Sequence, residues 1–113
     1  MKETTVVNML SALAQETRLS LFRLLVKAGR AGLNAGTLAE KLKTPNSTLS
    51  YHLSALEQAG LISSERRQRQ IIYTANYAKL EKFLGFLVED CCQGSGEICL
   101  SVEQTTRKIK GKK

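Results

Sequence analysis

Long apolar runs are missing from this chain. No stretch of about 18 or more uncharged apolar residues occurs among its 113 residues, so no membrane-spanning helix is expected. The opening stretch, MKETTVVNMLSALAQETR, has no signal-peptide layout, because its short apolar run is broken by polar residues. A cytoplasmic protein is the expectation. Histidine is nearly absent, with His52 the only one, and no cysteine occurs before position 91. No nucleophile–base pair and no open-site metal pattern can be read, so an enzyme is not expected. No internal repeat is visible.

What is present suits one compact domain, with 42% apolar and 24% charged residues. Net charge is +7, from 17 basic and 10 acidic residues, which invites a nucleic-acid partner. Five of the basic residues, Arg107, Lys108, Lys110, Lys112 and Lys113, fall in the last seven positions. Without them 12 basic face 10 acidic residues, a balance of +2. The overall charge is therefore mostly a tail effect, and the local cluster Arg66, Arg67, Arg69 carries more weight.

Along the chain, residues 5–14 read as a helix with an apolar stripe of Val6, Val7, Leu10, Leu13 and Ala14. A second helix follows over 17–28, with Leu19, Phe22, Leu25 and Val26 facing one way and Leu21 and Leu24 widening the face. Residues 35–41 form a short third helix capped by Asn34. The stretch 45–60, PNSTLSYHLSALEQAG, is the one the rest is built around. Leu49, Leu53 and Leu56 share one helical face; Ser47, Tyr51, Ser54 and Gln58 share the opposite one. Thr44 is expected as N-cap, Pro45 as first helical residue and Gly60 as the stop. A solvated helix face usually carries Lys and Glu. A face of short hydroxyl and amide groups suits base edges instead. Residues 61–65 and 70–74 then form a two-stranded hairpin with an arginine-rich tip.

Residues 76–92 close the domain as a long helix. Tyr77, Leu80, Leu84, Leu87 and Cys91 alternate at three and four, the pattern of a two-helix seam. A chain this small already has three amphipathic helices and a hairpin to cover its core. The seam is therefore expected to pair with a copy of itself, helped by the first helix. Leu10, Leu80, Leu84 and Leu87 are the expected interface residues. Residues 1–92 make the DNA-binding and dimerisation domain, and 93–113 a cysteine-containing loop and basic tail.

Helix, helix, helix-turn-helix, two-stranded wing, helix is the order of a winged helix-turn-helix domain, mainly α with a small β-hairpin and here expected as a homodimer. The runs ALAQETRLSLFRLL, STLSYHLSALEQAGLI and RRQRQIIYT resemble the ArsR/SmtB metal-sensing repressors over roughly residues 6–88. Most specific is Ser-x-His-Leu-x-x-Leu-x-x-Ala-Gly-Leu from Ser50. The resemblance implies a dimeric repressor that releases pseudo-palindromic, double-stranded operator DNA when a metal or metalloid binds. It departs from the founding pattern in one respect: the helix before the recognition helix, LNAGTLAEKL, has no cysteine. The histidine and carboxylate pattern that zinc sensors carry on the last helix is also missing.

For DNA contact, Asn46, Ser47, Ser50 and Tyr51 occupy the half of the helix that enters a major groove. Thr48 and His52 lie on its flanks, placed for phosphates. Arg66, Arg67 and Arg69 are expected on phosphate or minor groove. For ligand binding, Cys91, Cys92 and Cys99 form Cys-Cys-x6-Cys, able to supply three sulfurs from one chain and so one site per subunit. Zinc usually takes four ligands. A trigonal-pyramidal As(III) or Sb(III) takes three sulfurs, and three thiolates neutralise its charge. Zn, Cd or Pb with a carboxylate, and a thiol-redox switch, stay open; the resemblance favours arsenic. The rival from another class is a metalloid carrier with no DNA role.

Overall fold

The structure, a computed structural model, describes residues 1–89. Cys91, Cys92, Cys99 and the expected tail lie outside the described residues. Helix α1 spans Glu3–Leu13, α2 Glu16–Ala28, α3 Ala35–Leu42, α4 Asn46–Gln58 and α5 Tyr77–Val88. Strands β1 (Leu33–Asn34), β2 (Ile62–Arg67) and β3 (Gln70–Ala75) complete the winged helix-turn-helix, and a 3-10 turn covers Gly29–Ala31.

Amide side chains open three of the helices by satisfying backbone donors that no helical carbonyl can reach. Gln15 accepts from Arg18 N at 2.8 Å, Asn34 from Thr37 N at 2.8 Å and Asn76 from Lys79 N at 3.2 Å. The start of α4 differs from the sequence expectation. Pro45 itself holds the cap position, and its carbonyl accepts from Leu49 N. Thr44 is spent on the preceding turn, where its hydroxyl donates to Leu42 O and its N–H to Ala39 O. Lys43 bends the chain there with φ +52°. The other end of α4 is as expected. Gly60, at φ +81°, donates to Glu57 O, and Leu61 donates to Leu56 O, the paired bonds of a Schellman stop. Leu56 and Leu61 are both fully buried.

The sheet has three antiparallel strands in the order β1-β3-β2, one more than the expected hairpin. In the extra strand Leu33 pairs with Tyr73 and Asn34 with Ile72. Two residues are too few to show an alternating pattern, so β1 was invisible to periodicity. Gly32 makes its approach possible. At φ +67°, an added Cβ would sit 2.5 Å from the Tyr73 carbonyl oxygen.

Among the described residues, fifteen apolar side chains form the buried core, centred on Leu21, Leu25, Leu38, Leu49, Leu53, Leu56 and Leu61. Two expected stripes are rotated. On α1 the core takes Val6, Met9 and Ala12, leaving Val7 and Leu10 outside. On α2 it takes Leu21, Phe22 and Leu25, leaving Leu19 exposed. The seam of α5 also divides. Leu80 and Phe83 are buried in this chain's own core, so Leu80, expected at the interface, has little surface left to offer a partner. Leu84 packs half-buried against that core, while Leu87 stays 49% exposed. Helix α5 must first seal its own domain, and only its remaining face is available to a partner. Its described part ends at Val88, short of the expected 92.

Candidate nucleic-acid interface

Helix α4 is seated by its inward leucines, so its outward residues are presented at a fixed angle. Truncating one such leucine costs about 2–5 kcal/mol, far more than any surface contact can return. On the outward side Asn46, Ser47, Thr48, Ser50 and Tyr51 are all exposed, and Ser54 and Gln58 continue the face. The first two turns carry no charge. Their hydroxyl and amide groups can both donate and accept, and Tyr51 is 66% exposed.

His52 is a correction. Three residues after Leu49 and four before Leu56, it lies on the inward ridge and is only 7% exposed. It cannot reach a phosphate from there. Its Nδ1 instead accepts from Arg18 Nε of α2 at 3.0 Å, so the ring proton sits on Nε2. Burial first, then the Arg18 charge, holds its pKa below the ordinary histidine value. The Arg18 guanidinium also lies 5.2 Å from the centre of the Tyr51 ring. Arg18 was not among the expected site residues. Its contact spans 34 positions, and no local pattern in the α2 sequence signals it.

The wing stands beside α4 and is tied to it. Ser64 on β2 donates to the Glu57 carboxylate at 2.7 Å. Arg67 pairs with Gln70 in the ladder, leaving Gln68 and Arg69 as a two-residue turn, with Gln68 at φ +57°. The three arginines therefore differ in role. Arg69 occupies the exposed tip; Arg66, the last but one residue of β2, is also exposed, with its Nε donating to the Gln68 carbonyl at 3.4 Å. Arg67 is turned back, donating to the carbonyls of Ala31 at 3.1 Å and Arg30 at 3.4 Å, with Glu65 at 3.4 Å. It braces the wing against the 3-10 turn.

Tyr77 similarly fastens α5, its hydroxyl donating to Val26 O at 3.0 Å. Met1 and Phe86 line one shallow cleft, which places the chain's start beside the second half of α5. Leu10 and Val7 on α1 and Leu87 on α5 are the large exposed apolar residues of these two helices.

Comparison with known proteins agrees with this geometry. A family described as a helix-turn-helix domain matches residues 13–65. The transcriptional repressor SdpR of Bacillus subtilis is 29% identical over 91 residues, covering 80% of this chain and 98% of SdpR. The transcriptional activator HlyU of Vibrio cholerae is 28% identical over 89 residues, covering 79% of this chain and 80% of HlyU. Among solved structures, an ArsR-like transcriptional regulator from Rhodococcus sp. RHA1 superposes with a TM-score of 0.68 at 28% identity, over 90% of this chain and 92% of that one. The transcriptional repressor BigR of Xylella fastidiosa does so at 0.58 and 30% identity, over 74% and 82%.

Proposed function

The chain belongs to the ArsR-like family of winged helix-turn-helix transcriptional regulators, and from that membership we propose a dimeric operator-binding repressor released by a thiophilic ion at Cys91, Cys92 and Cys99. The observation that carries the DNA half is the face of α4: uncharged, short-donor and anchored by four buried residues beneath it. Arg66 and Arg69 on the adjoining wing add the cations that a phosphate backbone requires.

Dimerisation through α1 and α5 is supported by the apolar residues those helices leave uncovered, Val7, Leu10 and Leu87. Two copies would present two α4 helices to successive major grooves, about 34 Å apart. The ligand half rests on donor chemistry. Among the described residues no cluster of three His, Cys, Asp or Glu side chains is placed to hold a metal ion. The three thiols, close in sequence to the end of α5, are a soft donor set that suits As(III) or Sb(III). Ligation next to a helix that borders the partner can alter the spacing of the two α4 helices. A coupling of a few kcal/mol then changes operator occupancy by orders of magnitude. The repressor reading follows the repressors among the relatives, SdpR and BigR, with release by the ion as the inducing step.

A gel-shift with a pseudo-palindromic promoter duplex, with and without As(III), Sb(III), Zn(II), Cd(II) or oxidant, is the test. Release by the trivalent ions alone supports the proposal. Release by Zn or Cd, or by oxidant, selects those inducers instead. Tight metalloid binding without any DNA shift selects a carrier.

A further inference from the structure

Arg18 has a geometry that the proposed function leaves unused. It sits in the first turn of α2, yet its guanidinium reaches across to α4. Nε–H donates to a buried ring nitrogen, that of His52, at 3.0 Å. The guanidinium carbon stands over the ring of exposed Tyr51, 5.2 Å from its centre. The Tyr51 and His52 rings are themselves 5.5 Å apart, tilted by 60°. No carboxylate among the described residues pairs with Arg18. One cation is thus anchored at one end and stacked at the other on the most exposed aromatic ring of the reading face.

A tyrosine on an open helix surface normally samples several rotamers. A cation above its face and a second, tilted ring beside it restrict that freedom. We propose that Arg18 is a positioning residue for DNA recognition: anchored on His52, it stacks on Tyr51 and fixes the direction in which that ring enters the major groove. Base preference at the position under Tyr51 then depends on a residue of another helix. This rests on the reading that α4 contacts DNA.

The arrangement is specific to its chemistry. The anchor needs an acceptor at His52 Nδ1, which only the neutral ring offers; burial and the neighbouring guanidinium both favour that form. Glutamine at position 52 can also accept, through its amide oxygen, whereas leucine cannot. Lysine at position 18 would keep the charge but lose the planar fork that stacks and donates at once.

The test uses the full chain and a random-sequence duplex pool. The wild type is expected to enrich one motif, and affinities are then measured for that duplex and for each single base-pair change. With Arg18→Leu, discrimination is expected to fall about tenfold at one or two adjacent base pairs, the size of one specific base contact. Affinity for scrambled DNA should change less. In a Tyr51→Ala background, Arg18→Leu should add no further loss. His52→Gln should retain most of the discrimination and His52→Leu should not. In the DNA-free protein, Arg18→Leu should shift the Tyr51 ring proton resonances.

A uniform loss across all sequences with a smaller salt slope would make Arg18 a phosphate contact and overturn the proposal. Additive losses in the double variant, or unmoved Tyr51 resonances, would overturn it as well. A wild type that enriches nothing would bring down the DNA reading itself, and this proposal with it.

Discussion

His52 illustrates how one side chain's surroundings decide its chemistry. Buried beneath α4 and facing the Arg18 guanidinium, it is held neutral, with its pKa below the ordinary histidine value. The unfolded chain therefore takes up this proton first as pH falls past about 6.5. Stability linked to His52 is fully present above that pH and is lost on acidification toward the folded-state value. Thermal melts at pH 7.5 and 5.5 should show a larger loss for the wild type than for His52→Gln. Equal losses would mean that His52 is not the group responsible. Its place was legible in the sequence, because its spacing from Leu49 and Leu56 puts it on the inward ridge. Being the lone histidine beside a candidate reading face drew attention outward instead.

At the scale of elements, α4 and the wing work as one surface because polar ties lock them together: Ser64 to Glu57, and Arg67 to the carbonyls of the 3-10 turn. That division among the arginines gives a distinct expectation for the tip. Arg69→Ala should weaken binding about equally for all sequences and reduce the slope of log K against log salt by about 0.9, the share of one phosphate contact. An unchanged slope would remove the tip from the interface. Much of this level was readable from the chain alone. The leucine period of α4, the amide cap of α3, the glycine stop and the strand character of QIIYT all follow from local chemistry. Strand β1, the bracing role of Arg67 and the reach of Arg18 were not readable. Each depends on partners more than thirty positions away, where no periodic signal runs.

For the whole molecule, the question is which apolar residues remain once the chain has sealed its own core. Leu80 is used internally, whereas Leu10 and Leu87 are 44% and 49% exposed. Leu10→Lys and Leu87→Lys together should therefore leave the monomer fold intact, lowering the melting temperature only by the stabilisation that association supplied. They should still convert a dimer to a monomer in sedimentation and abolish tight operator binding. Leu80→Lys should instead unfold the chain, since it places a charge in the core. A dimer that survives the Leu10 and Leu87 changes would place the interface elsewhere.

In the proposed dimer, helix α4 is the output, and its inward packing on buried leucines means that the proposed control acts through the distance between two copies of it. The proposed input is the thiol cluster that follows α5 in the chain. Titrating arsenite into a fluorescently tagged operator complex, for the wild type and for Cys92→Ser, tests that link directly. Release of the wild type at about one equivalent per subunit, with the Cys92→Ser complex retained, is the predicted result. No release from the wild type, or equal release from both, would contradict it.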